Sequence, residues 1–477
     1  MGSQYKPRVD IRSMHDNVTG SCTLITVHTQ ERKLKFLIDC GLYQGEDNAD
    51  VLNREAFKFD PEEISFVIAT HNHADHVGRI PLLFRRGYEG KVHTTIDTAK
   101  MLSLSLADSE KVLKLNAEEY GLTYMYSFAD VDKALEHVVP HDFGKEFEPA
   151  PGVKITFYMN GHLIGAALTH INIAMPGAEP VDIIAMGDYK KDNRFFKVDP
   201  LPTEIFRKKH VHIITESTYG YVDSTDSAKP VFAENIAEII EEKNLILIPV
   251  FALARGQEVL YELKQMQERG QLSTDIPIYI DGKLFLDYCN LYQSKLRIDD
   301  DMRNFKPTNI HIMNKDFREE IVRSRTKKII LTTSGMGNYG PAQEYIPMVV
   351  ERKDTCIHFV GYTASGTIGR TLLEAQDGEE VDLGMCLRRK HCEIRFTGEF
   401  STHAKRDELL EFFKCFKSIR SLLVQHGEEE TKESFACYCG YKLTNCKCVE
   451  VLSASRTVVV DAWSIKKIIN EKTRCKV

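Results

Sequence analysis

The chain contains no apolar run approaching the ~18 consecutive residues of a membrane span, which excludes an integral membrane protein of the helical kind. No apolar segment follows Met1-Gly2-Ser3-Gln4-Tyr5-Lys6, which argues against a signal peptide and makes a cytoplasmic protein the expectation. An excess of positive charge is also missing. With a net charge of −7 and a pI near 6.2, the molecule as a whole does not attract nucleic acid. A local nucleic-acid groove remains compatible with that balance, because a metal site can neutralise phosphate by itself. The usual Cys-x2–4-Cys spacing of structural zinc is lacking at Cys437, Cys439, Cys446 and Cys448, which are paired two apart. The segment from Glu433 to Leu443 reads as a helix and that from Cys446 to Leu452 as strand-like. These cysteines are therefore expected to be buried or half-buried reduced thiols rather than an extra metal site. Internal repeats, low-complexity tracts and long structureless linkers are absent too.

What is present is an ordinary globular composition, and 477 residues exceed one hydrophobic core, so two or three domains are expected. Short apolar runs repeatedly end in a polar residue of catalytic type. Leu34–Ile38 leads to Asp39, Ile64–Thr70 to His71, Val181–Gly187 to Asp188, Val211–Thr215 to Glu216 and Leu422–Gln425 to His426. Ligands in layered α/β folds bind at the carboxyl ends of strands, so five such coincidences outweigh plain core packing. Amphipathic helices are expected over about Thr98–Ala117, Ala233–Lys243, Gln257–Arg269 and Pro341–Val350. Apolar runs at Leu245–Val250, Ile276–Ile280, Lys328–Thr332 and Cys356–Val360 alternate with helices, which is enough for a separate parallel-sheet domain. The expected division is residues 1–208 and 389–477 for one domain and 209–388 for the insertion.

The densest chemistry lies at His71-Asn72-His73-Ala74-Asp75-His76. His71 and His73, two apart just past a strand, can turn their rings to one ion. Asp75 and His76 open a helix and can face a second. Three imidazoles and a carboxylate within six residues suit zinc, and a loop rich in His by chance is disfavoured because ligand-type residues recur at other strand ends.

These motifs resemble the metallo-β-lactamase fold, and within it the β-CASP nucleases, the branch of the endonuclease that processes pre-mRNA 3′ ends and of RNase J. The resemblance rests on Thr19-Gly20-Ser21-Cys22 with Phe36–Gly41, the run His71–His76, Gly161-His162-Leu163-Ile164-Gly165-Ala166-Ala167 and Met186-Gly187-Asp188-Tyr189. It continues through Thr215-Glu216-Ser217-Thr218-Tyr219-Gly220, Pro249–Glu258, Thr333-Ser334-Gly335-Met336, Gly361–Arg370, Phe400-Ser401-Thr402-His403-Ala404 and Val424-Gln425-His426-Gly427-Glu428. It thus covers nearly the whole chain, and the complete order is more specific than any single piece.

The resemblance implies an α/β fold, a metallo-β-lactamase αββα sandwich with an inserted β-CASP parallel-sheet domain. It implies one metal on His71, His73 and His162, a second on Asp75, His76 and His426, and Asp188 bridging both, with Asp39 orienting ligand rings and the attacking water. Two zinc ions, with manganese an alternative, would yield the hydroxide that cleaves a phosphodiester to 5′-phosphate and 3′-hydroxyl. His403 would protonate the departing oxygen, with Glu216 holding and charging its ring. Ser334, Gly366, Thr367 and Arg370, in Gly-rich loops suited to phosphate, would contact the RNA backbone. Family members with a His where this chain has His426 process RNA, which favours RNA over DNA. Lys405 departs from the family, which usually has Asp there, and so does the loop Gly337-Asn338-Tyr339-Gly340. A homodimer or protein partners are compatible with this reading, and no membrane is involved. The competing readings are a DNA nuclease of the same fold, a thioesterase- or lactonase-type hydrolase, and a scaffold without activity.

Overall fold

The computed structural model describes residues 6–44, 48–224, 231–361, 363–364, 366–461 and 464–469. They fall into two compact units, one drawn from Met1–Gln44, Asn48–Thr225 and Thr402–Val477, the other from Asp226–Ser401.

The first unit holds two sheets. One has eight strands in the order Ile465–Ile469, Arg456–Val460, Arg8–Ser13, Thr23–His28, Lys33–Ile38, Ile64–Ile68, Lys91–Thr95 and Val138–His141, parallel from Lys33–Ile38 onward. The other has seven, in the order Val449–Val451, Ile419–Val424, Val211–Thr215, Val181–Ala185, Ala167–Ile173, Val153–Met159 and Glu146–Ala150, of which the first four run parallel. Successive strand residues point to opposite faces, and this separates the layers. Phe36 and Ile38 of the first sheet share a core with Ile183 of the second, so the two sheets pack face to face. Their neighbours point outward. Leu37 meets Leu102, Leu106 and Leu113 from the helix Ile96–Tyr120, and Ile184 meets Leu409, Phe413 and Phe435 from the helices Arg406–Lys414 and Glu429–Lys442. Helix, sheet, sheet and helix make the expected sandwich.

The helix Ile96–Tyr120 shows how locally this is written. Thr95 caps its start by accepting from the Thr98 N–H, its buried residues recur every three to four positions, and Gly121 ends it at φ +65°.

The second unit is a six-stranded sheet in the order Ile310–Ile312, Ile278–Asp281, Lys328–Thr332, Leu245–Pro249, Thr355–Phe359 and Glu393–Phe396, parallel throughout. Leu245–Pro249, Lys328–Thr332 and Thr355–Phe359 are buried at every residue, which is why they read as unbroken apolar runs. The unit's limits differ from the expected 209–388. Val211–Thr215 pairs with Val181–Ala185 and Ile419–Val424 and so belongs to the first unit. At the other end Glu393–Phe396 adds to the second unit's sheet as a half-exposed edge strand, too polar to stand out in the sequence.

The cysteines form no metal cluster among the described residues. Cys439 is buried and Cys446 and Cys448 are half-buried, but Cys437 is exposed, because positions two apart face different sides of the helix Glu429–Lys442. No helix among the described residues is long and apolar enough to cross a membrane.

Candidate metal centre

Every titratable residue that the sequence marks as ligand or acid stands in the first unit, on a loop or, for Asp75 and His76, in the short helix Ala74–Val77, most of them just past a strand. Asp39 follows Lys33–Ile38, the His71–His76 run follows Ile64–Ile68, and Asp188 follows Val181–Ala185. Glu216 follows Val211–Thr215 and His426 follows Ile419–Val424. Asp39 and His426 leave their strands at φ +61° and +53°, a left-handed conformation that side chains adopt at a cost and that concentrates at functional sites. The Asp39 turn is laced to the histidine run: Cys40 N–H donates to the His76 carbonyl at 2.8 Å and Leu42 N–H to the Ala74 carbonyl at 2.9 Å. Gly41 makes this approach possible, since a β-carbon there would stand 1.6 Å from the Asp75 carbonyl oxygen.

The side chains converge in two groups, and Asp188 reaches both. Its Oδ2 lies 3.6 Å from Nε2 of both His71 and His162, whose Nε2 atoms are each 3.1 Å from Nδ1 of His73. Its Oδ1 lies 3.3 Å from Nε2 of His76 and 3.5 Å from Nε2 of His426, with Asp75 Oδ2 3.5 Å from the latter. Thus His71, His73, His162 and Asp188 form one donor set, and Asp75, His76 and His426 the other.

On four of the rings the nitrogen facing away from the centre is occupied. His76 Nδ1 donates to Asp39 Oδ2 at 2.7 Å, and His162 Nδ1 to the Thr402 carbonyl at 2.8 Å. His426 Nδ1 pairs with Thr218 Oγ1 at 3.2 Å and His71 Nδ1 with Thr70 Oγ1 at 3.1 Å. Because Thr70 Oγ1 gives its own proton to Asp39, it accepts from His71. These contacts assign the proton to Nδ1 in His71, His76 and His162 and turn their Nε2 lone pairs inward.

That arrangement fits cations. Lone pairs 3.1–3.2 Å apart repel unless something positive sits among them, and Asp188 Oδ1 is buried with no hydrogen-bond partner among the described residues. Burial and the neighbouring His76 hold His71 well below the usual imidazole range, and burial brings His73 down to about 4, so both are neutral donors. Burial opposes charge on His76 and His426 as well, but Asp188 and the other carboxylates outweigh it and raise both. The protein's own groups therefore leave the carboxylates calling for positive charge. Two divalent ions on these N and O donors would supply it.

A third cluster adjoins. His403 Nδ1 donates to Glu216 Oε2 at 2.8 Å, while its Nε2 lies 4.0 Å from Asp188 Oδ2. Glu216, buried, spends its other oxygen on the Tyr189 N–H at 2.5 Å, and the Ala404 N–H reaches the Tyr189 carbonyl, so His403, Glu216 and the Asp188 turn are joined. Burial opposes the charge of His403, yet Glu216 outweighs it and raises the pKa. Lys405 donates its backbone N–H to Glu408 Oε2 at 2.8 Å.

The sequence reading missed the supports. Thr70, Thr218 and the Thr402 carbonyl fix three rings, and threonine or a backbone carbonyl carries no sequence mark of that use.

The expected substrate residues lie in the second unit on two touching loops. The Ser334 hydroxyl accepts from the Tyr339 N–H at 3.2 Å, and the Gly369 N–H donates to the Met336 carbonyl at 2.9 Å. Gly366 turns at φ +77°, Thr367 caps the helix Ile368–Glu374, and Arg370 Nε donates to the Thr363 carbonyl at 3.1 Å.

The profile of the metallo-β-lactamase superfamily matches residues 15–154, that of the Beta-Casp domain residues 256–372, and that of a Zn-dependent metallo-hydrolase RNA specificity domain residues 389–446. The chain is 31% identical over 446 residues to transcription termination factor FttA of Methanosarcina mazei, covering 87% of this chain and 66% of that protein. It is 29% identical over 435 residues to ribonuclease TTHA0252 of Thermus thermophilus, covering 87% and 91%. The chain thus spans about two thirds of the length of the FttA relative. Among solved structures, a protein of unknown function from Enterococcus faecalis shares the fold, with a TM-score of 0.53 at 12% identity over 96% of this chain and all of that one.

Proposed function

The chain belongs to the metallo-β-lactamase superfamily, in the branch that carries a β-CASP domain, and from that premise we propose that it is a metal-dependent ribonuclease. The observation that carries the reading is the gathering of six ligand-type side chains around Asp188, with the His403–Glu216 pair beside them. Two divalent ions held by His71, His73 and His162, by Asp75, His76 and His426, and by Asp188 between them would supply Lewis acidity and an ionised water near neutral pH.

The remaining work falls to the protein. Asp39 keeps the proton of His76 on Nδ1 and so keeps Nε2 a donor atom. Glu216 does the same for His403 and favours its charged form, which leaves the Nε2 proton on the Asp188 side. From there His403 protonates the 3′-oxygen as it leaves a phosphodiester, and the products are a 5′-phosphate and a 3′-hydroxyl. Ser334, Gly366, Thr367 and Arg370 serve as backbone contacts for the RNA. RNA is favoured over DNA by the RNA specificity profile, by the likeness to a bacterial ribonuclease and by His426.

Purified protein with 5′- and 3′-labelled RNA, assayed with and without chelator, tests this. Metal-dependent cleavage leaving 5′-phosphate is expected. Chelator-resistant cleavage, or faster cleavage of matched DNA, would count against it.

A further inference from the structure

Tyr219 stands three residues beyond Glu216, its ring centroid 6.1 Å from that of His403 and inclined at 65°. The ring is half-buried, and its backbone is held on both sides. It pairs with Lys405 in an isolated bridge, its carbonyl accepts from the Val222 N–H at 3.0 Å, and the Gly220 N–H donates to the Ser217 carbonyl at 2.9 Å. The turn has little room to drift, since a β-carbon on Gly220 would stand 2.9 Å from the Phe435 side chain. Three buried tyrosine hydroxyls elsewhere are spent on the fold: Tyr88 donates to the Lys91 carbonyl, Tyr126 to the Gly78 carbonyl and Tyr345 to Asp281. No hydrogen bond among the described residues engages the Tyr219 hydroxyl. A phenol thus stands beside His403 with its polar end uncommitted among the described residues.

The group that His403 protonates identifies what lies next to it. The departing 3′-oxygen belongs to the nucleotide on the 5′ side of the cut, and the 2′-hydroxyl of that nucleotide sits on the adjacent carbon of the same ribose. A phenol and a ribose hydroxyl can each donate and accept, so they pair without a second charged group. We propose that Tyr219 binds the 2′-hydroxyl of the nucleotide 5′ to the scissile phosphate, and that this contact lets the site distinguish RNA from DNA. The assignment rests on the ribonuclease reading above and adds to it a named discriminating residue.

Two labelled RNAs, identical except for one 2′-deoxy nucleotide immediately 5′ of the mapped cut, test it. The unaltered protein should favour the all-ribose substrate by about fivefold to tenfold in kcat/KM, the worth of one neutral hydrogen bond. Tyr219→Phe should bring that ratio close to unity, with the rate on the deoxy substrate and the bound metal content unchanged. In chelator, fluorescence anisotropy should show the same loss of preference as binding without turnover. An unchanged ratio in Tyr219→Phe would overturn the contact, as would a defect seen only in Tyr219→Ala, which points to stacking. Cleavage of both RNAs at equal rates by the unaltered protein sinks Tyr219 alone. Cleavage of neither sinks the ribonuclease reading as well.

Discussion

In the first unit the carboxyl ends of the parallel strands carry Asp39, His71, Asp188, Glu216 and His426; in the second, the loops after Lys328–Thr332 and Thr355–Phe359 carry glycine, serine and threonine. The architectural position is the same and the electrostatics are opposite. Buried carboxylates and imidazoles make the first unit's strand ends a place that demands cations. The loops of the second unit bond to one another through Gly369, Met336, Asn338 and Ile368 and gather no metal-type cluster among the described residues. Where ligands bind in a layered fold is thus set by strand direction, and what binds is set by the turn residues.

Substitutions on both sides can break that contrast. The largest effect is expected at Asp188→Asn, which removes the charge shared by both donor sets. Elemental analysis should find both ions depleted and turnover abolished, and a variant that keeps both ions would refute the bridging role. His403→Ala should retain the metals and lose about 10²- to 10⁴-fold in kcat, the usual worth of a general acid. Full activity in that variant rejects the assignment. Asp39→Asn, which disturbs the orientation of His76 directly and of His71 through Thr70, should cost about 10- to 100-fold in metal affinity or activity. In the second unit, Arg370→Ala should raise KM by roughly tenfold, for one charged hydrogen bond to the backbone, with kcat and metal content unaltered. A fall in metal content there would erase the distinction between the units.

The smallest effect is one of stability. His212 in the first unit is buried with partners on both nitrogens, Ser421 Oγ and the Asp461 carbonyl. His358 in the second is equally buried, and neither of its nitrogens has a partner among the described residues. Burial, with Arg395 adding to it, pushes His358 down to about 3 from 6.5. The unfolded chain therefore binds that proton more readily than the folded one, and stability falls as pH drops below 6.5, by about 1.4 kcal/mol per unit toward pH 3. His358→Leu should gain about 1–2 kcal/mol at neutral pH and flatten that slope in thermal melts at pH 5 and 7. A lower Tm at neutral pH would show that the imidazole is satisfied after all.

Much of the site was legible before any coordinates. The His71–His76 spacing and the apolar runs ending in Asp39, Asp188, Glu216 and His426 are local patterns, and local patterns survive in a linear string. The limits of the inserted unit were less legible. Val211–Thr215 is as apolar as the strands of the second unit, and only its pairing with Val181–Ala185 and Ile419–Val424 assigns it to the first. The edge strand Glu393–Phe396 was hidden for the opposite reason, since a half-exposed strand can be polar. Thr218 and the Thr402 carbonyl could not be read at all, because hydrogen bonds to rings 208 and 240 residues away leave no periodicity behind.

Residue type, spacing and hydrophobic period by themselves determined that this chain would build layered α/β units and carry ligand-type side chains at strand ends. Tertiary structure alone decided that Asp188 stands between two donor sets, which nitrogen of His71, His76 and His162 keeps its proton, and that a tyrosine flanks His403. Such features depend on distances of a few ångströms between segments far apart in the chain, and those distances exist only once the sheets have packed.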